Sequence, residues 1–428
     1  MPEKIGPGWL TVHAQKCPFS ILRAEIQIVT TQSLVARQVI EVVRFKIEVG
    51  QGPKAVIRGA QYARHGFLSQ VPLTGTVGIP ILQATPKFLT IRAYAPYLGS
   101  TVLCTITPVK FMDPPDASEE TVINAPGSFM GVPFSSNLSH SRAAVLGIPF
   151  DCGTHPARVG SRLGPSAIRE QSVLVRPFQP PWADFNPLEQ LAVVDCGNVI
   201  CTPGLIESSL DRIEQAVYRV ASADIVPVTM GGDGLVSLPQ LRAMHRIFPD
   251  LVLLHIDAHT DTYPGDGREI QERYNTATTF TRAAEEGLVD TARSFHVGAR
   301  GTVTMEGVFE HTRAQGYGLI DDAELRRRGP PDVLGQLHES LVGRPVYLCF
   351  DMDFFDPSCA PGVCTPTWGG ATAREGLEFL QGLEGLNFVA VDVNTVSPPH
   401  DVGGMTAFLA ATVMIQCLAL LCRTRPVS

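Results

Sequence analysis

Two acidic segments, each following a run of apolar residues, contain the side chains with the clearest potential for chemistry. The first is LVLLHIDAHTDTY at residues 251–263, in which Asp257, His259 and Asp261 alternate along the chain. In an extended backbone alternate side chains share one face, so we expect these three to point the same way where a buried strand ends. Imidazole and carboxylate groups suit Mn, Mg or Zn. The triplet alone leaves two alternatives open, a divalent metal site and a solvated, charged strand tip.

The second acidic segment, DMDFFDP at residues 351–357, follows the apolar run 346–350 and repeats the alternation with Asp351 and Asp353. Four carboxylates from two strand ends raise one another's pKa and resist burial unless a cation compensates their charge. We therefore predict a metal site at these two segments. A pair of metals that share carboxylates is one form that this site could take.

The elements that must position these side chains are apolar strands alternating with helices. Strands are predicted at 143–148, 191–195, 225–230, 251–257, 294–297, 346–351 and 388–393. Helices are predicted between them, for example at 206–220, 278–286 and 373–380. This alternation predicts an α/β fold, a three-layer doubly wound parallel sheet covered by helices on both faces. Such sheets bind ligands at the carboxyl ends of their strands, where both acidic segments lie.

Several motifs, in one order along the chain, resemble those of the ureohydrolases, meaning arginase, agmatinase and their guanidino-acid and guanidine hydrolase relatives. The motifs are VLGIPFDCGT at 145, GSRLGPSAIRE at 160, GGDG at 231, DAHTD at 257, HVGARG at 296, DMDFFDPSCAPGVCTPTWGG at 351 and VDVNTVSPPHDVGGMTA at 391. The resemblance extends from about Thr121 to the C-terminus and implies an arginase-like fold. The stretch NTVSPPHDVGGMTA is most similar to the guanidine hydrolase branch, which includes two-component enzymes that act on biguanides such as metformin.

The resemblance also implies a ligand set and a reaction. In the ureohydrolases two metals, manganese or in some branches nickel, share carboxylates and activate a water that attacks the guanidinium carbon, releasing urea and an amine. Carried over by motif, one metal would take Asp257, His259, Asp351 and Asp353. The other would take Asp257, Asp261, Asp351 and a histidine from the family's GGDH turn.

Three positions depart from the family's motifs. The GGDH histidine is replaced by Gly234, the family's HG histidine by Thr276, and the glutamate of its TPE motif by Thr367. The changes remove a metal ligand, a titratable group and a charge that would pair with a cationic substrate. We assign Asn275, Thr276 and Thr367 to the substrate pocket. His255 lies two residues before Asp257 and would share its face of the strand, so it could replace the missing ligand. Relatives with the full ligand set, however, often carry a histidine there too.

Because the turn glycines and prolines of the motifs are intact, we interpret the chain as a ureohydrolase-family subunit with an impaired centre that works beside a competent paralogue. We expect a divalent metal, Mn or Ni, at no more than one per chain. The expected substrate is a small guanidino or biguanide molecule, cleaved at a C–N bond to release urea or a guanylurea-type product. The resemblance implies a homo- or hetero-oligomer, a trimer or hexamer. Two alternatives remain: a one-metal guanidino or amidino hydrolase active by itself, and a non-enzymatic scaffold or sensor.

Residues 1–112 differ from the rest of the chain in charge. They contain 12 Lys or Arg, 4 Glu and no Asp, a balance of +8, whereas the remainder holds 22 basic and 38 acidic residues, a balance of −16. The basic residues are scattered rather than clustered, so we expect no nucleic-acid binding. One interpretation is a start codon assigned too early, with Met112 opening the protein and 113–428 forming one α/β domain. The other is a small β-rich extension, built on segments such as 39–49 and 88–94.

Cysteine usage and hydropathy bear on the compartment. The ten cysteines include no CxxC pair, which is typical of reduced thiols in a cytosolic protein, and no secretory signal is evident. We therefore expect a cytoplasmic location. The final apolar run, residues 405–421, is short for a membrane span, and we expect a buried helix and no membrane contact.

Overall fold

The computed structural model describes residues 127–152, 158–202, 204–265 and 273–424, together with the backbone of strands between residues 9 and 106. The chain divides into two compact units, Met1–Glu120 and Thr121–Ser428. Residue 112, at which the sequence predicts a boundary, lies outside the described residues. The start at Met112 and the domain 113–428 therefore stay predictions.

The described part of the first unit consists of antiparallel strands. They are β1 (Trp9–Lys16), β2 (Leu22–Leu34), β3 (Arg37–Val49), β4 (Lys54–Arg64), β5 (Phe67–Val71), β6 (Ile79–Thr85), β7 (Phe88–Ala95) and β8 (Ser100–Ile106). Their order is β1-β2-β3-β4-β6-β7-β8, with β5 paired to β4. The segments 39–49 and 88–94, from which a β-rich extension was considered, lie in β3 and β7.

The second unit is built on a parallel sheet. Its strands are β9 (Ala143–Gly147), β10 (Val194–Asn198), β11 (Val226–Met230), β12 (Val252–Ile256), β13 (Phe295–Val297), β14 (Gly318–Ile320), β15 (Val346–Asp351) and β16 (Phe388–Asn394). The order is β10-β9-β11-β16-β15-β12-β13-β14, and every pair is parallel. Seven of these strands overlap the predicted ranges. The eighth strand, β14, was not predicted from the sequence.

Helices connect the strands of the second unit. They are α1 (Gly164–Ser172), α2 (Pro187–Gln190), α3 (Ile206–Ala221), α4 (Ser237–His245), α5 (Thr279–Glu285), α6 (Val308–Ala314), α7 (Asp322–Arg328), α8 (Pro330–Leu341), α9 (Ala373–Gln381) and α10 (Met405–Thr424). The three helices named from the sequence correspond to α3, α5 and α9. Their bounds differ from the predicted ones by no more than one residue at each end.

Alternate residues of the central strands pack into two different cores, which makes the sheet the middle of three layers. Val252 and Leu254 of β12 belong to one core together with Leu418 of α10. Leu253, between them, belongs to the other core together with Leu210 of α3. Successive side chains of a strand point to opposite faces, so both faces are covered by helices. The predicted α/β, doubly wound architecture is confirmed.

The long apolar helix α10 lies within the first of these cores. By length and composition it could cross a membrane, the one such helix among the described residues, but 78% of its most apolar window is buried inside the protein. Fourteen of its side chains, including Gln416, are buried. The expectation of a buried helix is confirmed.

A buried carboxylate joins the central elements beneath the strand ends. Asp392 of β16 is fully buried and accepts hydrogen bonds from Ser237 Oγ at 2.6 Å, Tyr347 Oη at 3.1 Å, Thr229 Oγ1 at 3.1 Å and Asn394 Nδ2 at 3.2 Å. Burial raises the pKa of Asp392, although these donors oppose the rise. The network ties β11, β15 and the start of α4 to β16, and so holds the platform from which the loops at the carboxyl edge emerge.

Candidate metal centre

The loop after β12 carries three of the predicted ligands on a backbone that bends. The strand ends at Ile256, residues 257–259 form bends, and Asp261 has a φ of +50°. The extended backbone assumed in the sequence analysis is therefore wrong for this segment. The side chains of Asp257, His259 and Asp261 nevertheless turn towards a common region, because the curved loop, rather than strand alternation, directs them.

One trio of candidate ligands comprises Asp257, His259 and Asp353, whose ligand atoms all lie within 4.8 Å of one another. His259 Nδ1 is 3.2 Å from Asp257 Oδ1 and 3.0 Å from Asp353 Oδ2. Asp353 belongs to the short 3₁₀ turn Met352–Phe354 after β15, and the backbone N–H of Ala258 donates to its Oδ1 at 3.1 Å. Neighbouring strands β12 and β15 thus bring together residues about ninety positions apart in sequence, which is how parallel sheets build sites.

A second trio comprises His255, Asp257 and Asp261, whose ligand atoms also lie within 4.8 Å. His255 Nε2 is 2.8 Å from Asp257 Oδ2, yet that oxygen is buried and has no hydrogen bond with acceptable geometry. A buried polar atom without a partner is costly in a protein. A cation bound between these groups would satisfy it, and the nitrogen and oxygen donors are of a type that binds divalent metals.

Asp351 stands beside these trios and belongs to neither. Its Oδ1 accepts the backbone N–H of Asp353 at 2.8 Å and the hydroxyl of Thr395 at 2.5 Å. Thr395 follows β16 and was not assigned a role from the sequence. Its motif was used only as a mark of the family, and no local pattern connects a threonine to a carboxylate 44 positions away.

A second histidine, His296, contacts Nδ1 of His255. The two Nδ1 atoms lie 2.8 Å apart, and the rings of Phe280 and Tyr317 pack against the pair. Burial lowers the pKa of His296 well below its ordinary value, and the neighbouring His255 lowers it further. The lowered pKa favours the neutral form of His296, and one of the two facing Nδ1 atoms donates to the other. This contact fixes the ring of His255 with its Nε2 towards Asp257.

The cluster brings four buried carboxyl groups together, and three of them have raised pKa values. Burial raises the pKa of Asp353 to about 6, and burial together with neighbouring carboxylates raises those of Asp351 and Asp261 well above the ordinary value. Burial would also raise the pKa of Asp257, but His255 and His259 hold it well below the ordinary value. The protons retained by the cluster are those that a divalent cation would displace.

Position 234 borders the second trio. Gly231 and Gly232 have φ values of +81° and +84°, which direct the chain after β11 back towards the sheet edge. A Cβ atom at Gly234 would lie 2.9 Å from Asp261 Oδ2. A side chain here would therefore point into the cluster, and glycine contributes no donor atom to it.

The predicted pocket residues occupy three different places. Thr367 Oγ1 lies 3.2 Å from Nε2 of His259, and Arg300, which the sequence analysis left without a role, holds this loop by donating to the carbonyl of Thr367 at 2.8 Å. Thr276 lies against Gly234. Asn275 lines a neighbouring cavity of about 380 Å³, together with Tyr263. Of the three predicted residues, Thr367 contacts a candidate ligand, and Thr276 borders position 234.

Comparison with known proteins identifies the family. The family profile described as "Arginase family" matches residues 141–420. The chain belongs to the Arginase family. This stretch contains both trios, position 234 and Thr395.

Known members of the Arginase family resemble the chain over most of its second unit. The human mitochondrial guanidino acid hydrolase is 34% identical over 294 residues, which is 69% of this chain and 82% of that protein. Guanidinopropionase of Pseudomonas aeruginosa is 37% identical over 311 residues, 72% of this chain and 95% of that protein. Among solved structures, proclavaminate amidino hydrolase of Streptomyces clavuligerus has a TM-score of 0.66 and 30% identity, covering 70% of this chain and 98% of its own.

Membership of the Arginase family indicates the general type of reaction. The chain is an Arginase-family protein of the guanidino and amidino hydrolase type. Proteins of the Arginase family bind divalent metals such as Mn and are commonly trimers or hexamers. The two trios contain the imidazole and carboxylate donors that such a metal would require.

Proposed function

We propose that the chain is a subunit of a metal-dependent hydrolase acting on guanidino or biguanide compounds, that its own centre is impaired, and that a competent Arginase-family paralogue completes the active oligomer. The metal residues in this proposal are Asp257, His259, Asp261, Asp351 and Asp353. We propose Mn or Ni as the ion, at no more than one tightly bound equivalent per chain.

The observation that carries the proposal is the missing donor atom at position 234, beside Asp261 of the second trio; otherwise both trios offer one imidazole and two carboxylates. Asp257, His259 and Asp353 offer a nitrogen and two carboxylates in mutual contact. The region around Asp261 is bordered by Gly234, from which no donor atom can reach it. A metal centre that has lost a ligand binds its ion less tightly, since even changes in the outer shell reduce affinity roughly 10 to 100-fold.

Charge supports a cationic substrate. The ion pairs that Asp257 and Asp353 form among the described residues are with His255 and His259. The four carboxyl groups of the centre outnumber the two histidines paired with them, and the ionised ones attract planar cations such as guanidinium and biguanide groups. Thr367 beside His259 offers a neutral hydroxyl, so the pocket holds a cation less strongly than a carboxylate at this position would.

When bound, a metal ion here would supply an activated hydroxide for attack on the guanidinium carbon. The protein's own groups orient His259. Asp257 and Asp353 hold the ring of His259 through its Nδ1, and the hydroxyl of Thr367 contacts its Nε2. The products would be urea, or a guanylurea-type molecule from a biguanide, and an amine.

Metal content tests the first part of the proposal. We expect elemental analysis of the purified chain, loaded with Mn or Ni and then desalted, to find one equivalent or less. Two equivalents per chain would contradict the impaired centre. The variant G234H/T276H/T367E is the matched control, because it returns the missing groups and should raise the occupancy.

Activity with and without a partner tests the second part. The purified chain should release no urea from arginine, agmatine, guanidinobutyrate or guanidine with either metal. Co-expression with a paralogue that has intact GGDH, DAHTD and TPE motifs should give a mixed oligomer with more activity than either chain alone. Separate homo-oligomers would contradict the partnership.

A second candidate is a one-metal guanidino or amidino hydrolase that is active alone. It is favoured by the complete trio of Asp257, His259 and Asp353. Turnover of a guanidino compound by the unaided chain at an ordinary enzymatic rate, roughly 1 per second or faster, would replace the first proposal with this one.

A further inference from the structure

We propose that Thr395 is a positioning residue that fixes the carboxylate of Asp351 and leaves one defined oxygen, Oδ2, for a metal ion. The orientation of Asp351 follows from the contacts below, and its consequence for a metal rests on the proposed function.

The backbone of Thr395 is in a conformation that threonine rarely adopts. Its φ is +66°, in the left-handed region, where a β-branched residue is a clear outlier. Only 3% of the residue is exposed. Such strain persists where the surroundings demand it, and it concentrates at functional sites.

Backbone contacts hold this conformation. The N–H of Thr395 donates to the carbonyl of Gly232 at 2.8 Å, in the turn that leads to position 234. One residue earlier, Asn394 at the end of β16 is still paired with Asp351 of β15. The left-handed turn immediately after this pair bends the chain so that the hydroxyl of Thr395 reaches back to the neighbouring strand.

The hydroxyl contact defines the two oxygens of Asp351. Oδ1 accepts from Thr395 Oγ1 at 2.5 Å and from the N–H of Asp353 at 2.8 Å. A carboxylate oxygen has about two lone-pair directions, so both are used. Oδ2 accepts no hydrogen bond from a described residue and is therefore the oxygen that remains for a cation.

Two features indicate that the hydroxyl of Thr395 has a role beyond forming the turn. Glycine or asparagine would adopt a φ of +66° with less strain. Neither would bring a hydroxyl to Oδ1. The residue present accepts backbone strain and forms a short hydrogen bond to a buried carboxylate.

Crystal structures of the metal-free protein test the orientation. The variant T395V keeps the size and branching of threonine but removes the hydroxyl, and T395S keeps the hydroxyl. We expect the Asp351 carboxylate to rotate in T395V and to keep its position in T395S. T395G, which lacks the hydroxyl and relieves the strain, covers the case in which T395V does not fold. An unmoved carboxylate in T395V or T395G would overturn the proposal.

Metal titration tests whether the orientation of Asp351 affects metal affinity. With Mn²⁺ alone as the probe, T395V should bind roughly 10 to 100-fold more weakly than the wild-type chain, the range found for outer residues around metals. T395S should restore the affinity, and the melting temperature of each variant shows whether the fold is retained. Equal affinity in T395V and wild type would overturn the metal part of the proposal. A wild-type chain that binds no Mn²⁺ would instead contradict the proposed function, with the orientation still decided by the crystal structures.

Discussion

A Cβ atom at Gly234 would lie 2.7 Å from Cγ2 of Thr276, so these two positions occupy adjoining space. Real Cβ atoms do not approach other atoms so closely, and either the threonine or the turn would have to move. Steric contact therefore links the residue type at position 234 to the residue type at position 276. Replacing one without the other meets an obstacle that a comparison of motifs alone does not reveal.

This coupling predicts different outcomes for two histidine variants. G234H alone should gain little metal, because its Cβ clashes with the Thr276 methyl. G234H/T276S, which removes that methyl and keeps the hydroxyl, should bind measurably more Mn²⁺ by elemental analysis. T276S alone is the control and should resemble wild type. Equal metal content in the two histidine variants would show that the methyl is not the obstacle.

Metal binding should release a proton from His259. Burial would lower its pKa, but Asp353 and Asp257 outweigh burial and raise the pKa well above the ordinary value, so the metal-free residue is protonated at neutral pH. A ligand must be deprotonated, and the apparent affinity should therefore rise with pH. Calorimetry in buffers of different ionisation enthalpy measures the released protons, and H259Q should release about one fewer.

The raised pKa of His259 also predicts how the stability of the metal-free protein depends on pH. The contribution of His259 is fully present below its unfolded pKa of about 6.5 and is lost as pH rises through the higher folded value. Thermal melts of wild type and H259Q should therefore differ most at low pH. A difference that instead grows with rising pH would contradict the assigned direction.

The buried pair of Arg169 and Asp195 should be essential to the fold. Arg169 donates to both carboxylate oxygens of Asp195 at 2.8 Å, and both side chains are almost inaccessible. R169M leaves a buried charge without its partner and should reduce the free energy of unfolding by about 3 to 5 kcal/mol in urea titrations. R326A removes the exposed partner of Asp322 and should cost less than about 1 kcal/mol. Similar losses in both variants would contradict this distinction.

Helix α10 should behave as a core element. Leu418 is fully buried, and L418A should reduce the free energy of unfolding by about 2 to 5 kcal/mol. Met405, at the start of the same helix, is 54% exposed, and M405A should change it by no more than about 0.5 kcal/mol. Chemical denaturation of both variants checks the contrast. An L418A protein as stable as wild type would contradict the packing of this helix.

Much of the architecture follows from local sequence pattern. The apolar runs that lead to Asp257 and Asp351 are buried strands, and parallel pairing of β12 with β15 brings their ends together, so the approximate location of the centre could be predicted. Atomic partners could not be predicted in the same way. Asp261 depends on a left-handed turn, and Asp353 lies in a 3₁₀ turn where strand alternation no longer applies.

Long-range contacts account for most of what the sequence did not reveal. Thr395 meets Asp351 because β16 lies beside β15, and His296 meets His255 because β13 lies beside β12. Strand order in a sheet depends on the packing of the whole domain, and no spacing within a motif encodes it. The Gly234 and Thr276 contact likewise joins two loops that are far apart in the chain.

The carboxylate of Asp392 has a consequence for local opening. Since its hydrogen bonds join three adjacent strands and the first residue of α4, none of these elements can separate without leaving a buried acid unsatisfied. Amide protons of β11, β15 and β16 should therefore exchange with deuterium only when the whole domain unfolds, whereas those around Thr276 should exchange through smaller fluctuations. The loops at the carboxyl edge can therefore open locally while the strands beneath them stay closed.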